Sequence, residues 1–266
     1  VLVSYEDVLY EVSEGIATIT INRPKLLNAF RGRTIDELID AFKAAWADRS
    51  VGCVIFTGAG DRAFCVGGDQ STRDAGGYQG APARSDVGLE IEELHSVIRD
   101  IPKPVIAAVN GYAIGGGHVL HVICDLTIAA DTAKFGQVGP KVGSVDPGYG
   151  TMYLARAIGE KKAREFWYLC EQHSAAECQA LGLVNKIAPQ AELMSAARDW
   201  ARKICEMSPT AIKLAKVSFN ADTEHMRGIG SMAIRAVALY YESEEALEGK
   251  NAFLEKRKPD FAKYRR

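Results

Sequence analysis

The sequence predicts an α/β protein whose strand–loop–helix units wind as a right-handed spiral, followed by a helical C-terminal region. Three observations carry this expectation. Short β-rich runs alternate with helical stretches through the first two-thirds of the chain, the strands lack hairpin spacing, and from Lys161 onward the pattern is almost wholly helical. Parallel strands need crossovers of about a dozen residues or more, and the helical stretches between these runs have about that length. The organisation expected is a core over residues 1–200 and a helical region over 201–266.

In order along the chain, Val8–Glu11 and Ile16–Ile21 read as strands from their alternation and β-branched residues, stopped by Asn22-Arg23-Pro24. Ile35, Leu38, Ile39 and Phe42 recur at helical spacing across Thr34–Trp46, with Thr34 as the expected N-cap. Val51–Thr57 is an apolar strand ending at Gly58-Ala59-Gly60. Glu92–Arg99 is helical and stops at Pro102, and Val105–Val109 is a buried strand ended by Asn110-Gly111. A helix follows from about Gly116, then the strand Leu126–Ala129. Helices are expected at Lys161–Cys170, Ala175–Leu181, Gln190–Met207, Thr210–Asn220 and Gly228–Leu254, with a brief strand at Asn185–Ala188. The stretch Gly76–Asp86, rich in Gly, Ala, Pro and Ser, is the expected mobile loop.

Of the 266 residues, 47% are hydrophobic and 25% charged, which suits an ordinary globular core and excludes disorder and fibrous repeats. Thirty-two basic residues against 34 acidic ones leave a formal charge of −2, so no basic field draws nucleic acid or anionic lipid. Apolar runs such as Val105–Val109 fall far short of a membrane span, and Val1–Val12, which carries Glu6 and Glu11, is unlike an export signal. Six scattered cysteines without a C-x-x-C pair (Cys53, Cys65, Cys124, Cys170, Cys178 and Cys205) read as reduced, mostly buried thiols of a cytoplasmic protein.

Two glycine clusters carry the first chemical signal. Val66-Gly67-Gly68-Asp69-Gln70 and Gly115-Gly116-Gly117 each follow a strand, where glycine lets a carbonyl ligand approach backbone N–H groups. Two such turns could each give one N–H to the same oxyanion, although either alone reads as a tight turn. Neither is a phosphate loop, and no dinucleotide fingerprint occurs. The segment Gly136–Gly150, with five glycines and two prolines, is a loop of defined shape in which Ser144 and Asp146 face a pocket or tie a turn. His118 and His121 share a helix face without a third ligand nearby, which favours packing over metal. Tyr240-Tyr241 reads as core or interface, and the basic run Lys256–Arg266 as a solvated tail or a clamp for an anionic carrier.

Larger motifs carry a resemblance. Ile21-Asn22-Arg23-Pro24 with Asn28-Ala29-Phe30, Ala63-Phe64-Cys65-Val66-Gly67-Gly68-Asp69, Pro104–Ala107 with Gly111–Gly117, and Cys124-Asp125-Leu126 are similar to the crotonase (enoyl-CoA hydratase/isomerase) superfamily across essentially the whole chain. The resemblance implies a ββα spiral, a helical C-terminal region that assembles trimers or dimers of trimers, and an acyl-CoA ligand. It assigns the N–H groups of Gly68 and Gly116 to the thioester oxygen. Hydratases of the superfamily carry two glutamates where this chain has Val119 and Gly139, so hydration by paired carboxylates is not expected.

Two branches of the superfamily fit better. The ring-closing 1,4-dihydroxy-2-naphthoyl-CoA synthases share Gly67–Gln70, Gly115–Leu120, the Gly143-Ser144 and Asp146 loop, and Arg257 with Pro259-Asp260-Phe261. The ring-opening 2-ketocyclohexanecarboxyl-CoA hydrolases share Phe30-Arg31-Gly32, Gly68–Thr72, Glu92–His95 and Gln137–Gly150. Val138 and Val145, where the synthases usually have Thr and Phe, and Leu27 in place of an Arg favour hydrolytic ring opening of a cyclic β-ketoacyl-CoA. A third reading is a non-catalytic acyl-CoA- or RNA-binding protein on the same scaffold.

By motif match, Asp146 is expected to activate water, Ser144 to position the ketone, Tyr78 to donate to the enolate, and Tyr241 to reach a neighbouring subunit's site. The positions assigned to substrate and CoA are Lys25, Ala63, Val66, Gly67, Asp69, Gln70, Tyr112, Ile114, Gly115, Gln137, Val138, Gly139 and Lys256. Gln137 and Trp167 match residues around the bicarbonate of the synthases, but Val138 removes a hydroxyl from that site. No metal or redox cofactor is implied.

Overall fold

A computed structural model of the chain describes residues 5–74, 76–79 and 84–265. Its strands are β1 (Val8–Ser13), β2 (Ile16–Ile21), β3 (Cys53–Gly58), β4 (Ala63–Cys65), β5 (Arg73–Asp74), β6 (Gly77–Tyr78), β7 (Val105–Val109), β8 (Tyr112–Ile114), β9 (Leu126–Ala130), β10 (Lys134–Gly136), β11 (Gln172–Ser174) and β12 (Lys186–Ala188). One sheet has the order β1-β2-β3-β7-β9-β12 and a second the order β11-β10-β8-β4. Successive strands therefore alternate between two walls: β3 then β4, β7 then β8, β9 then β10. Neighbours from β2 to β12 in the first sheet are parallel. This is the crotonase fold, a ββα spiral.

The helices are α1 (Gly32–Ala47), α2 (Ile91–Asp100), α3 (Gly116–Val122), α4 (Leu154–Ile158), α5 (Glu160–Leu169), α6 (Ala175–Ala180), α7 (Leu193–Cys205), α8 (Pro209–Ala221), α9 (Arg227–Tyr241) and α10 (Glu244–Leu254). The core runs between sheet and helices. Phe42 of α1, Phe56 of β3 and Phe64 of β4 meet edge to face, with centroids 5.4 and 5.1 Å apart.

Several sequence expectations need correction. β1 and β2 do form an antiparallel hairpin. Its turn is Glu14-Gly15, with φ of 54° and 77°, the left-handed pair a two-residue hairpin requires. Glutamate in place of Asn or Asp at the first position hid it. α1 begins at Gly32, not at Thr34. Thr34 sits in its first turn, accepts the Arg31 N–H at 3.2 Å and donates to Asp7 at 2.6 Å. The expected single helix Gly228–Leu254 is two helices, because Ser243 accepts the Ala246 N–H and caps α10. A 3-10 turn, Gln190–Glu192, precedes α7.

The expected division after residue 200 falls inside α7, whose buried Leu193, Ala196, Ala197 and Ala201 pack on β3, β7 and β9. Of the expected loop Gly76–Asp86, residues 80–83 lie outside the described ones, and Gly77-Tyr78 pairs with Arg73-Asp74 as the hairpin β5–β6. Five of the cysteines are buried and Cys205 is exposed. Among the described residues, no helix is long and apolar enough to cross a membrane.

Candidate active site

The two glycine clusters meet. Phe30 N–H donates to Gly67 O at 2.9 Å and Asp69 N–H to Phe30 O at 2.8 Å, a parallel bridge that leaves the Gly68 N–H on the other side. Gly67 (φ 87°) and Gly115 (φ 57°) hold left-handed turns. A Cβ on Gly67 would lie 2.9 Å from the Gly116 nitrogen, so the turns touch. Gly116 opens α3, where an N–H has no partner within its helix. Neither the Gly68 nor the Gly116 N–H donates to an acceptor among the described residues.

Both glycines line a cavity of about 100 Å³. Its apolar wall is made by Phe30, Val66, Val87, Leu89, Ile91, Val119, Val138, Val142, Val145, Ile234 and Val237, and its polar groups are Gln70, Tyr78, Gln137, Ser144, Asp146, Trp167 and Tyr241. Few polar groups converging in an apolar pocket is the usual form of a small-molecule site.

The sequence places each polar group by a local device. The β5–β6 hairpin turns Tyr78 back onto Gly68, where a Cβ would lie 2.1 Å from the phenol oxygen. Gln70 Nε2 donates to Gly68 O at 3.0 Å and to the Tyr78 hydroxyl at 3.3 Å. Burial, then the neighbouring Tyr241 phenol, pushes the Tyr78 phenol above its ordinary value, against the pull of Arg73 and Gln70, so it stays protonated. Asp146 Oδ1 accepts the N–H groups of Gly148 (3.2 Å) and Gly150 (2.8 Å), which fixes its side chain. Ser144 Oγ and the Tyr241 hydroxyl share a hydrogen bond of 2.7 Å. Gly139 is locked: a Cβ there would lie 2.6 Å from Ser144 O and 3.2 Å from the Trp167 ring.

Arg73 ties these parts together. Only 3% exposed, its guanidinium donates to Val142 O (2.7 Å), Gly143 O (3.0 Å) and Ala246 O (3.3 Å) and lies 4.8 Å from the centre of the Tyr241 ring.

The structure thus brings together Gly68, Gly116, Tyr78, Ser144, Asp146 and Tyr241, with Val66, Gly67, Gln70, Gly115, Gln137, Val138 and Gly139 around them. Tyr241 lines the cavity of its own chain. Lys25, Ala63, Asp69, Tyr112, Ile114 and Lys256 do not line this cavity. Asp69 is engaged elsewhere, accepting from Ser71 and, at 3.2 Å, from Arg23. Ala63 is buried in β4, its carbonyl accepting from Asn28 at 2.7 Å. Lys25 and Lys256 are exposed.

Sequence reasoning missed the wall residues Val87, Leu89 and Ile91, although their spacing of two was visible. It also missed Ile234 and Val237, which stand two turns and one turn before Tyr241 on the same helical face. Nothing in the sequence singled out Arg73. His118 and His121 are wholly buried and bonded to each other at 3.0 Å, and no group of three or more metal-ligating side chains occurs among the described residues.

The spiral thus presents two N–H groups without acceptors among the described residues, together with a carboxylate, in one apolar pocket, the donor arrangement an oxyanion requires. The chain belongs to the enoyl-CoA hydratase/isomerase family, whose model matches residues 11–264. It is similar to an enoyl-CoA hydratase from Mycobacterium avium subsp. paratuberculosis K-10, with 28% identity and a TM-score of 0.84 over 94% of this chain and 100% of that one. A carnitinyl-CoA hydratase from Mycobacterium avium is 32% identical over 97% of this chain and 98% of its own, with a TM-score of 0.83. An enoyl-CoA hydratase/isomerase from Pseudoalteromonas atlantica T6c is 25% identical, with a TM-score of 0.85 over 96% and 100%. The chain is therefore a member of a crotonase enzyme family that processes acyl-CoA.

Proposed function

We propose that this protein hydrolytically opens the ring of a cyclic β-ketoacyl-CoA, with 2-oxocyclohexane-1-carboxyl-CoA as substrate and pimeloyl-CoA as product. One observation carries the reading. Asp146 and Ser144 share a cavity with two unpartnered N–H groups, while Val119 and Gly139 stand where hydration needs carboxylates and Gly139 has no space for a side chain. Among polar groups of this kind, the carboxylate is the one suited to activate water.

Water adds to the ring ketone, Asp146 taking its proton while Ser144, bonded to Tyr241, donates to the ketone oxygen. The bond from that carbon to the α-carbon then breaks, and its electron pair moves into the thioester as an enolate. The Gly68 and Gly116 N–H groups receive the enolate oxygen. Tyr78 protonates the α-carbon and recovers a proton from Asp146, so water supplies the oxygen of the new carboxyl group and the hydrogen at the α-carbon.

Bicarbonate fits this site poorly. Val138 offers only methyl groups, and the Trp167 indole N–H donates to Gly150 O at 3.0 Å. Gln137 Nε2 is buried without a partner among the described residues, which suits it to the ketone oxygen that becomes the carboxylate. Lys25 and Lys256 remain the proposed CoA contacts, and the cytoplasm the proposed setting. Self-association as a trimer or dimer of trimers is part of the same reading, supported by large apolar side chains left in water on the C-terminal helices: Leu214, Val217 and Phe219 of α8, Met232 and Leu239 of α9.

The test is mass spectrometry of the purified protein with 2-oxocyclohexanecarboxyl-CoA in heavy-oxygen water. Label in the free carboxylate of pimeloyl-CoA is the expected result, and intact substrate overturns the assignment for this ring. Turnover of o-succinylbenzoyl-CoA instead would favour ring closure.

A further inference from the structure

Behind Asp146 lies a second, smaller cavity. Asp146, Ile91 and Ile234 line both cavities, so the carboxylate stands in the wall between them. The far side is closed by His95 and Glu92 of α2, by Tyr149, and by Gly230 and Ala233 of α9. The space is about 20 Å³, room for one water molecule.

The two groups that meet there are both incompletely paired. Asp146 Oδ1 is taken by Gly148 and Gly150, whereas Oδ2 has no donor among the described residues. His95 is 2% exposed, and its Nε2 is buried without a hydrogen-bond partner. Tyr149 does not relieve it: the rings lie 4.8 Å apart, and the Tyr149 hydroxyl is engaged with Ser96 Oγ at 3.2 Å. Buried polar atoms are rarely left unpaired, and this water-sized space, mostly apolar in its lining, adjoins one such atom, His95 Nε2, and the free oxygen of the Asp146 carboxylate, where one internal water would serve both.

We propose that His95 is a positioning residue for Asp146, linked to its carboxylate by one buried water in this cavity. The neutral imidazole donates to the water, and the water donates to Oδ2. Both carboxylate oxygens are then held, and Asp146 is fixed as an acceptor toward the substrate cavity. Burial keeps the imidazole below its ordinary value while the Asp146 charge pulls it back up. The titratable groups facing His95 are Asp146 and Tyr149 from the loop and Glu92 from its own helix, while α9 presents only Gly230, Ala233 and Ile234. The inference rests on the reading of Asp146 as the group that activates water.

The test has a structural and a kinetic arm. A high-resolution crystal structure of the wild-type protein should show one water within hydrogen-bond distance of both side chains. His95→Phe should lower kcat about tenfold or more with little change in KM, and His95→Gln, which keeps a donor, should recover most of that loss. A dry cavity, or a His95→Phe variant that turns over like wild type, overturns the proposal. Should His95→Phe fail to fold, the His95 titration followed by NMR decides: a downward shift in Asp146→Asn supports the link, and an unchanged titration overturns it. If the wild-type protein opens no ring, the proposed reaction fails, while the water and the titration still decide this link.

Discussion

Asp146 and Gly68 make opposite demands on a substitution. Asp146→Asn keeps the shape of the side chain and its amide-bound oxygen but removes the base, so kcat should fall roughly a hundredfold or more while affinity for a CoA ester stays unchanged. Steady-state kinetics beside calorimetric binding checks this, and near-normal turnover would reject Asp146 as the base. Gly68→Ala places a methyl group against the Tyr78 hydroxyl and displaces an oxyanion donor, with an expected loss of about a hundredfold or more in kcat. At this scale the motifs were informative: Gly68, Gly116, Ser144, Asp146, Tyr78 and Tyr241 come from distant parts of the sequence and converge on one cavity. Arg73 was not legible as part of the site, and His95, although within the Glu92–His95 motif, was not legible as a neighbour of Asp146, because burial without a partner and bonds to carbonyls of two elements are properties of packing.

The loop that carries Ser144 is held by its neighbours more than by its own sequence. Arg73 of β5 bonds two of its carbonyls and one of α10, and a Cβ on Gly249 would lie 2.2 Å from the Gly143 nitrogen. Replacing Arg73 by Met leaves the buried carbonyls of Val142 and Gly143 without donors, while Ala246 keeps its helical bond, which should destabilise the protein by about 2–4 kcal/mol. A shift in the urea midpoint measures it, and an unshifted midpoint would show that water satisfies those carbonyls. Element boundaries illustrate what single-residue signals miss. Thr34 has the right side chain for a cap but is needed in the first turn to reach Asp7, and Ser243 stops a helix that hydrophobic periodicity alone carries through. The spiral of parallel strands, by contrast, followed from apolar runs and crossover lengths, whereas the second wall did not, because β4, β8 and β10 are three-residue strands too short to show a pattern.

For the whole molecule, buried imidazoles set the response to acid. Burial, and then the neighbouring His173, hold His118 down to about 3 from an ordinary 6.5, and burial holds His95 and His121 down as well. The unfolded chain takes up these protons near 6.5, while folded His118 does so only near 3. Between those values the unfolded state binds more protons, so stability present above pH 6.5 is lost as the pH falls, at roughly 1.4 kcal/mol per pH unit for His118 alone. Thermal midpoints measured from pH 7.5 to 5 should decline below about pH 6.5; a flat profile would contradict it. If the apolar side chains on α8 and α9 join copies of the chain, Phe219→Ser with Leu239→Glu should give a smaller species in sedimentation without unfolding it. Finally, the bond from Arg73 to Ala246 has a meaning for synthesis. The ββα turns can stack as they leave the ribosome, but the seat of the loop with Ser144 is complete only once α10 has followed them out.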